Sequence, residues 1–196
     1  MDFKPVSLFG GALALELPAT FADVSTIREV PDHQEVYLDA EGYTNVIIEI
    51  LERVDKDKAP TDEDATKYHL NDIVSTETDE TRFWGGEAAH LSKLPETPAY
   101  TLFTSQHVDR NAPGRQSKED FTATLLTLVR LEKQKTDILL VVNVPHLPGQ
   151  YNKDEIDFEN RKLGKLTEDG VKIRQRILET FEIKDYNLFV NDDMDG

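Results

Sequence analysis

The segment FTATLLTLVRLEKQKTDILLVVNV, residues 121–144, has the most consistent strand pattern in this chain of 196 residues. It contains two apolar runs rich in β-branched residues, 121–131 and 137–144, which the polar stretch EKQKT connects. Two such runs separated by a few polar residues are typical of an antiparallel hairpin. We therefore expect this hairpin to form the centre of a β-sheet.

Further strands are predicted on both sides of this hairpin in the sequence. Residues 12–17 alternate leucine with alanine or glutamate, which is the two-residue period of a strand with one face on a core. Residues 44–54, TNVIIEILERV, fit either a helical stripe or a buried strand, and their β-branched residues favour the strand. The remaining predicted strands are 35–39, 81–89 and 100–106.

Two helices are predicted. Residues 61–73 begin with a capping threonine and an acidic first turn, which suits the positive end of the helix dipole. The second helix would be capped by Thr167, and its apolar stripe has a spacing of four residues at Ile173, Ile177 and Phe181. About eight extended segments together with two helices predict an α+β fold around one largely antiparallel sheet.

The other segments are predicted to be turns and loops. A single helical turn capped by Asp23 or Ser25 is expected within residues 20–31, because a proline ends that segment. Residues 107–120 and 146–165 are polar and each contain proline beside glycine, so we expect two long, exposed loops.

The length and composition fit one soluble domain. The chain has 38% hydrophobic residues and no cysteine, which excludes disulfides and thiolate chemistry. We predict a single domain over residues 1–190 and an acidic, disordered tail over 191–196. The apolar N-terminal stretch is interrupted by Glu16 and a glycine pair and follows no basic region, so we expect it to belong to the mature protein.

The charge of the chain is strongly negative. Lys and Arg number 22 against 38 Asp and Glu, a net charge of −16, and residues 1–80 alone hold 6 basic and 19 acidic side chains. Affinity for nucleic acid and anionic lipid comes from Lys and Arg, so we expect neither nucleic acid nor membrane as a partner. A basic protein surface is a natural partner, and solubility alone explains the charge equally well.

Motifs for catalysis and cofactor binding are absent from the sequence. It contains neither GxxxxGK[ST] nor GxGxxG, so the pairs Gly10-Gly11 and Gly85-Gly86 are interpreted as turns or bulges. HExxH and GxSxG are also missing, and the five histidines lie far apart, with His69 interpreted as a packed or capping side chain. Paired carboxylates for a glycosidase are available by chance among so many acids. We predict a protein that is not an enzyme, with no catalytic residue, metal or cofactor.

The segment DVSTIREVPDHQEVY, residues 23–37, concentrates polar side chains around a turn that ends in proline. Polar loops on a rigid scaffold often carry recognition. A capped turn with a solvated rim is the alternative, and composition alone does not separate the two. Arg28 is interpreted as a structural residue that pairs locally with Asp32 or Glu35.

This segment and its surroundings resemble the Ran guanine-nucleotide release factor family, the Mog-type Ran-binding proteins of nuclear transport. The resemblance is densest at LFGGALALELPATFADVSTIREVPDHQEVY, residues 8–37, where a glycine pair, a strand, REVPD and QEV follow in order. It continues at NVIIEILERV, KYHLNDI, LLTLVRLEKQKTDILLVVNVP and KDYNLFV, and so spans nearly the whole chain. The resemblance implies a three-layer α/β/α sandwich similar to the photosystem PsbP proteins.

The resemblance also implies a function. Members of the family bind the small GTPase Ran, promote release of its guanine nucleotide and favour nuclear protein import, so we expect this chain in the nucleus and the cytoplasm. The positions that match the family's acidic surface patch are Asp23, Glu29, Asp32, Glu35, Glu49 and Glu52. Glu49 and Glu52 differ by three residues, so in a regular strand they point to opposite faces unless a bulge intervenes.

One alternative function stays open from the sequence. An acidic adaptor would bind Ran, or another basic partner, without accelerating nucleotide release. In either case we expect the protein to be a monomer.

Overall fold

Ten strands and two helices make up the fold in the computed structural model, which describes residues 1–25, 27, 29–74, 79–108 and 118–189. The helices are α1 (Asp62–Ile73) and α2 (Gly164–Thr180). The strands are β1 (Phe3–Leu8), β2 (Leu13–Pro18), β3 (Phe21–Asp23), β4 (Gln34–Asp39), β5 (Asn45–Glu52), β6 (Asp79–Ala89), β7 (Ala99–Val108), β8 (Phe121–Leu131), β9 (Thr136–His146) and β10 (Glu182–Ile183).

The strands form two antiparallel sheets. The large sheet has the order β3-β4-β5-β9-β8-β7-β6, and the small sheet has the order β1-β2-β10. The hairpin of β8 and β9 pairs without interruption from Phe121 opposite His146 to Leu131 opposite Thr136. The predicted central hairpin of a largely antiparallel sheet is therefore confirmed, and the small sheet is an additional feature that was not predicted.

The large sheet is covered on both faces, which gives three layers. On β5, Val46 and Ile48 point into the core shared with α2 and the small sheet, while Ile47 and Leu51 pack into the second core beneath α1. The predicted α+β sandwich is confirmed. No helix within the described ranges is long and apolar enough to span a membrane.

Helix α1 begins at the predicted cap. The hydroxyl of Thr61 accepts from the backbone N–H of Asp64 at 3.1 Å, and the carboxylate of Asp64 accepts from the N–H of Thr61 at 3.2 Å. This reciprocal capping box satisfies two N–H groups that the helix cannot pair internally. The sequence pattern and the structure agree here because the signal is entirely local.

Helix α2 begins earlier than predicted, and Thr167 is not its cap. The helix begins at Gly164, whose φ of +70° suits glycine, and Thr167 is fully buried inside the helix. The predicted apolar stripe is confirmed, because Ile173, Ile177 and Phe181 are all buried.

The segment 20–31 begins as a strand, which was not predicted, and a turn capped by the Asp23 side chain follows it. Phe21–Asp23 pairs with β4 as β3. A tight turn follows, in which the carboxylate of Asp23 accepts from the N–H of Ser25 at 2.8 Å and the N–H of Ile27 donates to the carbonyl of Val24 at 2.8 Å. Arg28, whose pairing was predicted, lies outside the described residues.

The other predicted strands are confirmed, but β1, β3 and β10 were not predicted. β1 contains Pro5 and is an edge strand of the small sheet, where a missing N–H is tolerated. The glycine pairs behave as expected: Gly10 has a φ of +65°, and the register of β6 and β7 shifts between Phe83 and Gly85.

The loop predicted over residues 146–165 is a packed segment. Tyr151, Ile156 and Phe158 are partly buried against the core, and an isolated bridge joins Asp157 and Lys162. Apolar side chains within this charged stretch therefore attach it to the sheet. Residues 109–117 of the other predicted loop and the predicted tail 191–196 lie outside the described residues.

Candidate functional site

The six predicted acidic residues lie at one edge of the large sheet, where β3, β4 and β5 are its last three strands. Asp23 ends β3, Glu35 lies on β4, and Glu49 and Glu52 lie on β5. Glu29 and Asp32 belong to the loop that connects β3 to β4. We call these six residues the acidic edge.

Asp23 and Glu35 occupy one face of this edge, beside the phenol of Tyr37. Asp23 is the register partner of Tyr37, and the carboxylate of Glu35 accepts from the Tyr37 hydroxyl at 3.2 Å. Burial raises the pKa of Tyr37 far above its usual value, and the charges of Glu35 and Asp23 act in the same direction. The phenol is therefore neutral and acts as a hydrogen-bond donor.

Glu35 also connects the first glycine pair to the sheet. Its second carboxylate oxygen accepts from the backbone N–H of Phe9 at 2.5 Å. Phe9 and Gly10 both have positive φ, so this N–H belongs to a tight turn between β1 and β2. Glu35 is consequently half-buried and has a structural contact in addition to its predicted role in recognition.

Glu49 lies on the opposite face of the sheet from Glu35. It is the register partner of Gln34, whereas Glu35 is opposite Ile48, and neighbours in register share a face. The Nε2 atom of His33 lies 3.4 Å from its carboxylate. Glu49 is half-buried on the α1 side of the sheet.

Glu49 and Glu52 point to opposite faces, as regular strand geometry requires. The pairing of β5 with β9 is continuous from Asn45 to Glu52 and contains no bulge. The six carboxylates therefore do not form one patch on one face. They surround the edge of the sheet, because side chains alternate along β4 and β5.

Glu29, Asp32 and Glu52 are the most accessible part of the acidic edge. All three are exposed, and none has a Lys or Arg ion-pair partner in the described part of the chain. Ile27, in the same loop as Glu29, is 80% exposed. Unneutralised carboxylates beside an exposed apolar side chain can contact a partner that carries basic residues.

A buried polar network, which sequence reasoning missed, holds the far end of β5. The carboxylate of Asp137 accepts from Arg130 Nε at 3.0 Å, from the Nε2–H of His69 at 2.9 Å and from the Val54 N–H at 3.0 Å. The Arg130 guanidinium also donates to the Val54 carbonyl at 2.7 Å. Val54 follows Glu52, so this network positions the end of the acidic edge.

The charge state of this network follows from its hydrogen bonds. Burial alone would raise the pKa of Asp137, but donation by His69, Val54 and Arg130 keeps the pKa below its usual value. Arg130 and Asp137 are register partners, and they are the only Lys, Arg, Asp or Glu residues of β8 and β9. That pair of opposite charges was the one feature of the sequence that could have indicated the buried network. The packed role predicted for His69 is confirmed, because this residue is 3% exposed.

The described residues contain no group of three His, Asp or Glu side chains that could hold a metal ion.

Comparison with known proteins gives a consistent result. Residues 6–145 match the family model described as "Ran-interacting Mog1 protein". The "Probable ran guanine nucleotide release factor" of Dictyostelium discoideum is 29% identical over 196 residues, covering 96% of this chain and 97% of that protein. The "Nuclear import protein MOG1" of Saccharomyces cerevisiae is 30% identical over 204 residues, covering 96% of this chain and 86% of that protein.

Solved structures agree with the sequence comparison. The crystal structure of the Saccharomyces cerevisiae Ran-binding protein Mog1p has a TM-score of 0.73 at 25% identity, covering 97% of this chain and 100% of that one. A cyanobacterial PsbP from Synechocystis has a TM-score of 0.53 at 14% identity, covering 93% and 92% of the two chains, and so shares the fold. The fold expected from the family resemblance is therefore confirmed.

Proposed function

This chain belongs to the Ran-interacting Mog1 family, and we propose from that premise that it binds the small GTPase Ran, promotes release of its guanine nucleotide and supports nuclear protein import. The observation that carries the proposal is the family match over residues 6–145, which includes the whole acidic edge. Relatives named as Ran guanine nucleotide release factors and as nuclear import proteins support each part of it.

The acidic edge is the proposed surface for Ran. Asp23, Glu29, Asp32 and Glu52 are exposed, and Glu35 and Glu49 lie between them on the two faces. A group of exposed carboxylates raises the rate of encounter with a basic surface. A desolvated ion pair at the centre of an interface instead slows dissociation of the complex. We assign the first role to Glu29 and Asp32, which lie on the loop.

The proposed mechanism is differential affinity. A GTPase holds its nucleotide through a P-loop lysine, backbone N–H groups and a magnesium ion. A protein can weaken that binding only if it binds the nucleotide-free or distorted form more tightly. Carboxylates of the acidic edge would engage basic side chains of Ran near its nucleotide, where they compete with phosphate or disturb magnesium. The coupling is reciprocal, so nucleotide must weaken the complex by the same factor.

In this proposal the protein is a monomeric regulator of Ran and performs no covalent chemistry itself. It needs no cofactor, and its partner is Ran and not nucleic acid or membrane. For this role we propose that the protein is present in both the nucleus and the cytoplasm. Relatives named as nuclear import proteins support that role.

The rate of nucleotide release from Ran tests this function. Ran loaded with fluorescent GDP is mixed with excess unlabelled nucleotide and increasing amounts of the full chain. We expect the observed release rate to rise and saturate. A second series with fluorescent GTP shows which nucleotide state responds.

The adaptor alternative predicts a different result in the same assay. A complex between the chain and Ran, measured by calorimetry, with an unchanged release rate would contradict release activity and select the adaptor. Absence of any complex with Ran would contradict release activity and leave only an adaptor for another basic partner.

A further inference from the structure

A cavity of about 440 Å³ lies at the β6 edge of the large sheet, which is the edge opposite the acidic residues. Its walls come from β6, β7, helix α2 and the segment between β9 and α2. A cavity of this size can enclose a small organic molecule. It shares no residue with the acidic edge.

One part of the cavity wall is aromatic. The rings of Trp84 and Phe158 have centroids 5.4 Å apart, and those of Phe103 and Phe158 have centroids 5.0 Å apart. The indole N–H of Trp84 donates to the hydroxyl of Ser105 at 2.8 Å, which orients the ring. Oriented aromatic side chains offer flat apolar surfaces to a planar ligand.

The other part of the wall carries positive charge. Arg161 and Arg174 line the cavity, and neither guanidinium has an ion-pair or hydrogen-bond partner within the described ranges. Burial lowers the pKa of Arg174, and the charge of Glu87 acts in the opposite direction. Two arginines against the single carboxylate of Glu87 leave the lining with a net positive charge, in a chain whose net charge is −16.

The surrounding backbone keeps the cavity open. The register shift between Phe83 and Gly85 places Trp84 at a bulge in β6. A Cβ at Gly85 would meet no atom within 4 Å, so this glycine leaves space that a side chain would occupy. Phe158 and Arg161 come from the segment that joins β9 to α2, and both lie within the turn that the Asp157–Lys162 bridge closes.

We propose that this cavity binds a small planar anion, an aromatic ring that carries one carboxylate or phosphate group. The ring would lie against Trp84 and Phe158, and the anionic group would accept hydrogen bonds from Arg161 and Arg174. Guanidinium groups match carboxylate and phosphate in geometry, and they bind these groups more strongly where water is partly excluded. The site is separate from Ran binding and extends the function beyond it.

Trp84 is the single tryptophan of the chain, so its fluorescence reports on this cavity directly. The full chain is titrated with GMP, with benzoate, with the neutral ring benzamide and with inorganic phosphate. We expect a saturable change in Trp84 emission with GMP or benzoate. Benzamide and phosphate should bind with an affinity at least about tenfold weaker. A preference for GMP identifies a nucleotide-like ligand, and a preference for benzoate identifies an aromatic carboxylate.

Variants separate the cavity from a general effect of charge. Arg174→Gln should weaken binding of the preferred anion about tenfold or more, and Arg161→Gln, at an exposed position, provides a second variant that is safe for folding. Gly85→Val should also weaken binding because it narrows the cavity. Lys184→Gln is the matched control, since it removes one positive charge from an exposed residue that does not line the cavity.

The proposal is overturned by either of two results. One is a Trp84 emission that does not change saturably with GMP or benzoate. The other is equal affinity for the wild-type chain and both arginine variants. Because the assay contains no Ran, its failure leaves the proposed function untouched, and failure of the nucleotide-release assay does not affect this site.

Discussion

His146 is completely buried at the end of β9, between the sheet and α2. Its Nδ1 lies 2.9 Å from the carbonyl oxygen of Val144, and because a carbonyl only accepts, Nδ1 carries the proton. Its Nε2 then accepts from the hydroxyl of Thr167 at 3.3 Å. Burial lowers the pKa of His146 to about 4, so the folded protein contains the neutral imidazole.

This histidine makes stability depend on pH. The ordinary pKa is 6.5, so between 6.5 and about 4 the unfolded state binds a proton that the folded state does not. We expect the free energy of unfolding to decrease as the pH falls through this range, by up to about 3 kcal/mol from this residue. Urea unfolding of the wild-type chain and of His146→Phe at several pH values measures the contribution.

The His146→Phe variant shows whether His146 or the many carboxylates cause the pH dependence of the free energy of unfolding. His146→Phe should show a smaller loss of stability between pH 6.5 and 4 than the wild-type chain. Equal pH dependence in the two proteins would be inconsistent with a buried neutral imidazole.

At the level of residues, the alternation of side chains along β5 is the one property of the acidic edge that could be predicted from the sequence. The opposite orientations of Glu49 and Glu52 follow from their spacing alone, and the regular pairing of β5 confirms them. The bond from the Phe9 N–H to Glu35 could not be predicted, because 26 residues separate the two groups. Contacts of that separation depend on how β1 and β2 pack against the large sheet.

Helix α2 packs so closely on the large sheet that Gly170 has no room for a side chain. A Cβ at this position would lie 2.7 Å from Val144 Cγ2 and 3.1 Å from Leu125 Cδ1. Both neighbours are themselves buried in the core, on β9 and β8. Glycine destabilises an isolated helix. At this position, however, the lack of a side chain permits the close contact between α2 and the large sheet.

The substitution Gly170→Ala tests this packing. Intrinsic propensity predicts a gain of about 1 kcal/mol for alanine in a helix. We expect the opposite sign, a loss of about 1 to 3 kcal/mol, because an additional methyl group must displace core side chains. Thermal or urea unfolding measures the change. Glu168→Ala, at an exposed position of the same helix, is the control and should change stability by less than about 0.5 kcal/mol.

At the level of elements, prediction succeeded where the signal was local. The capping box of α1, the stripe of α2 and the β8–β9 hairpin all depend on residues within a few positions of one another. The beginning of α2 was missed because Thr167, a good capping residue, is used instead to contact His146. A local preference was overridden there by a contact between distant segments.

For the molecule as a whole, the uneven distribution of charge is the property most relevant to Ran. Residues 1–80 hold 19 of the 38 acidic side chains and only 6 of the 22 basic ones, and they include the entire acidic edge. A field of one sign accelerates association with a basic surface, and salt screens it over about 10 Å at moderate ionic strength.

Charge reversal at the acidic edge should therefore slow association. For the double variant Glu29→Lys/Asp32→Lys, we expect the association rate with Ran to fall about tenfold at low salt and its salt dependence to become weaker. Both residues are exposed and lie on a loop, so stability should change little. Stopped-flow association at several salt concentrations measures both effects.

The control for this experiment is Glu168→Lys, which reverses one charge on α2 away from the acidic edge. It should change the association rate much less than either single substitution in the loop. Equal association rates for the double variant and the wild-type chain at low salt would show that these two carboxylates do not guide Ran.

The sequence by itself determined the central hairpin, the two helices, the family and the acidic residues of the edge. The hairpin and the helices depend on periodicity and capping, which act between residues close together in the chain, whereas the family and the acidic residues came from the resemblance of ordered motifs to a known family. Only the tertiary structure decided that β1, β2 and β10 form a second sheet, that the six carboxylates surround an edge, and that Trp84 and two arginines line one cavity. Each of these brings together segments that are far apart in sequence, and the free energy of such contacts comes from packing that no local pattern encodes.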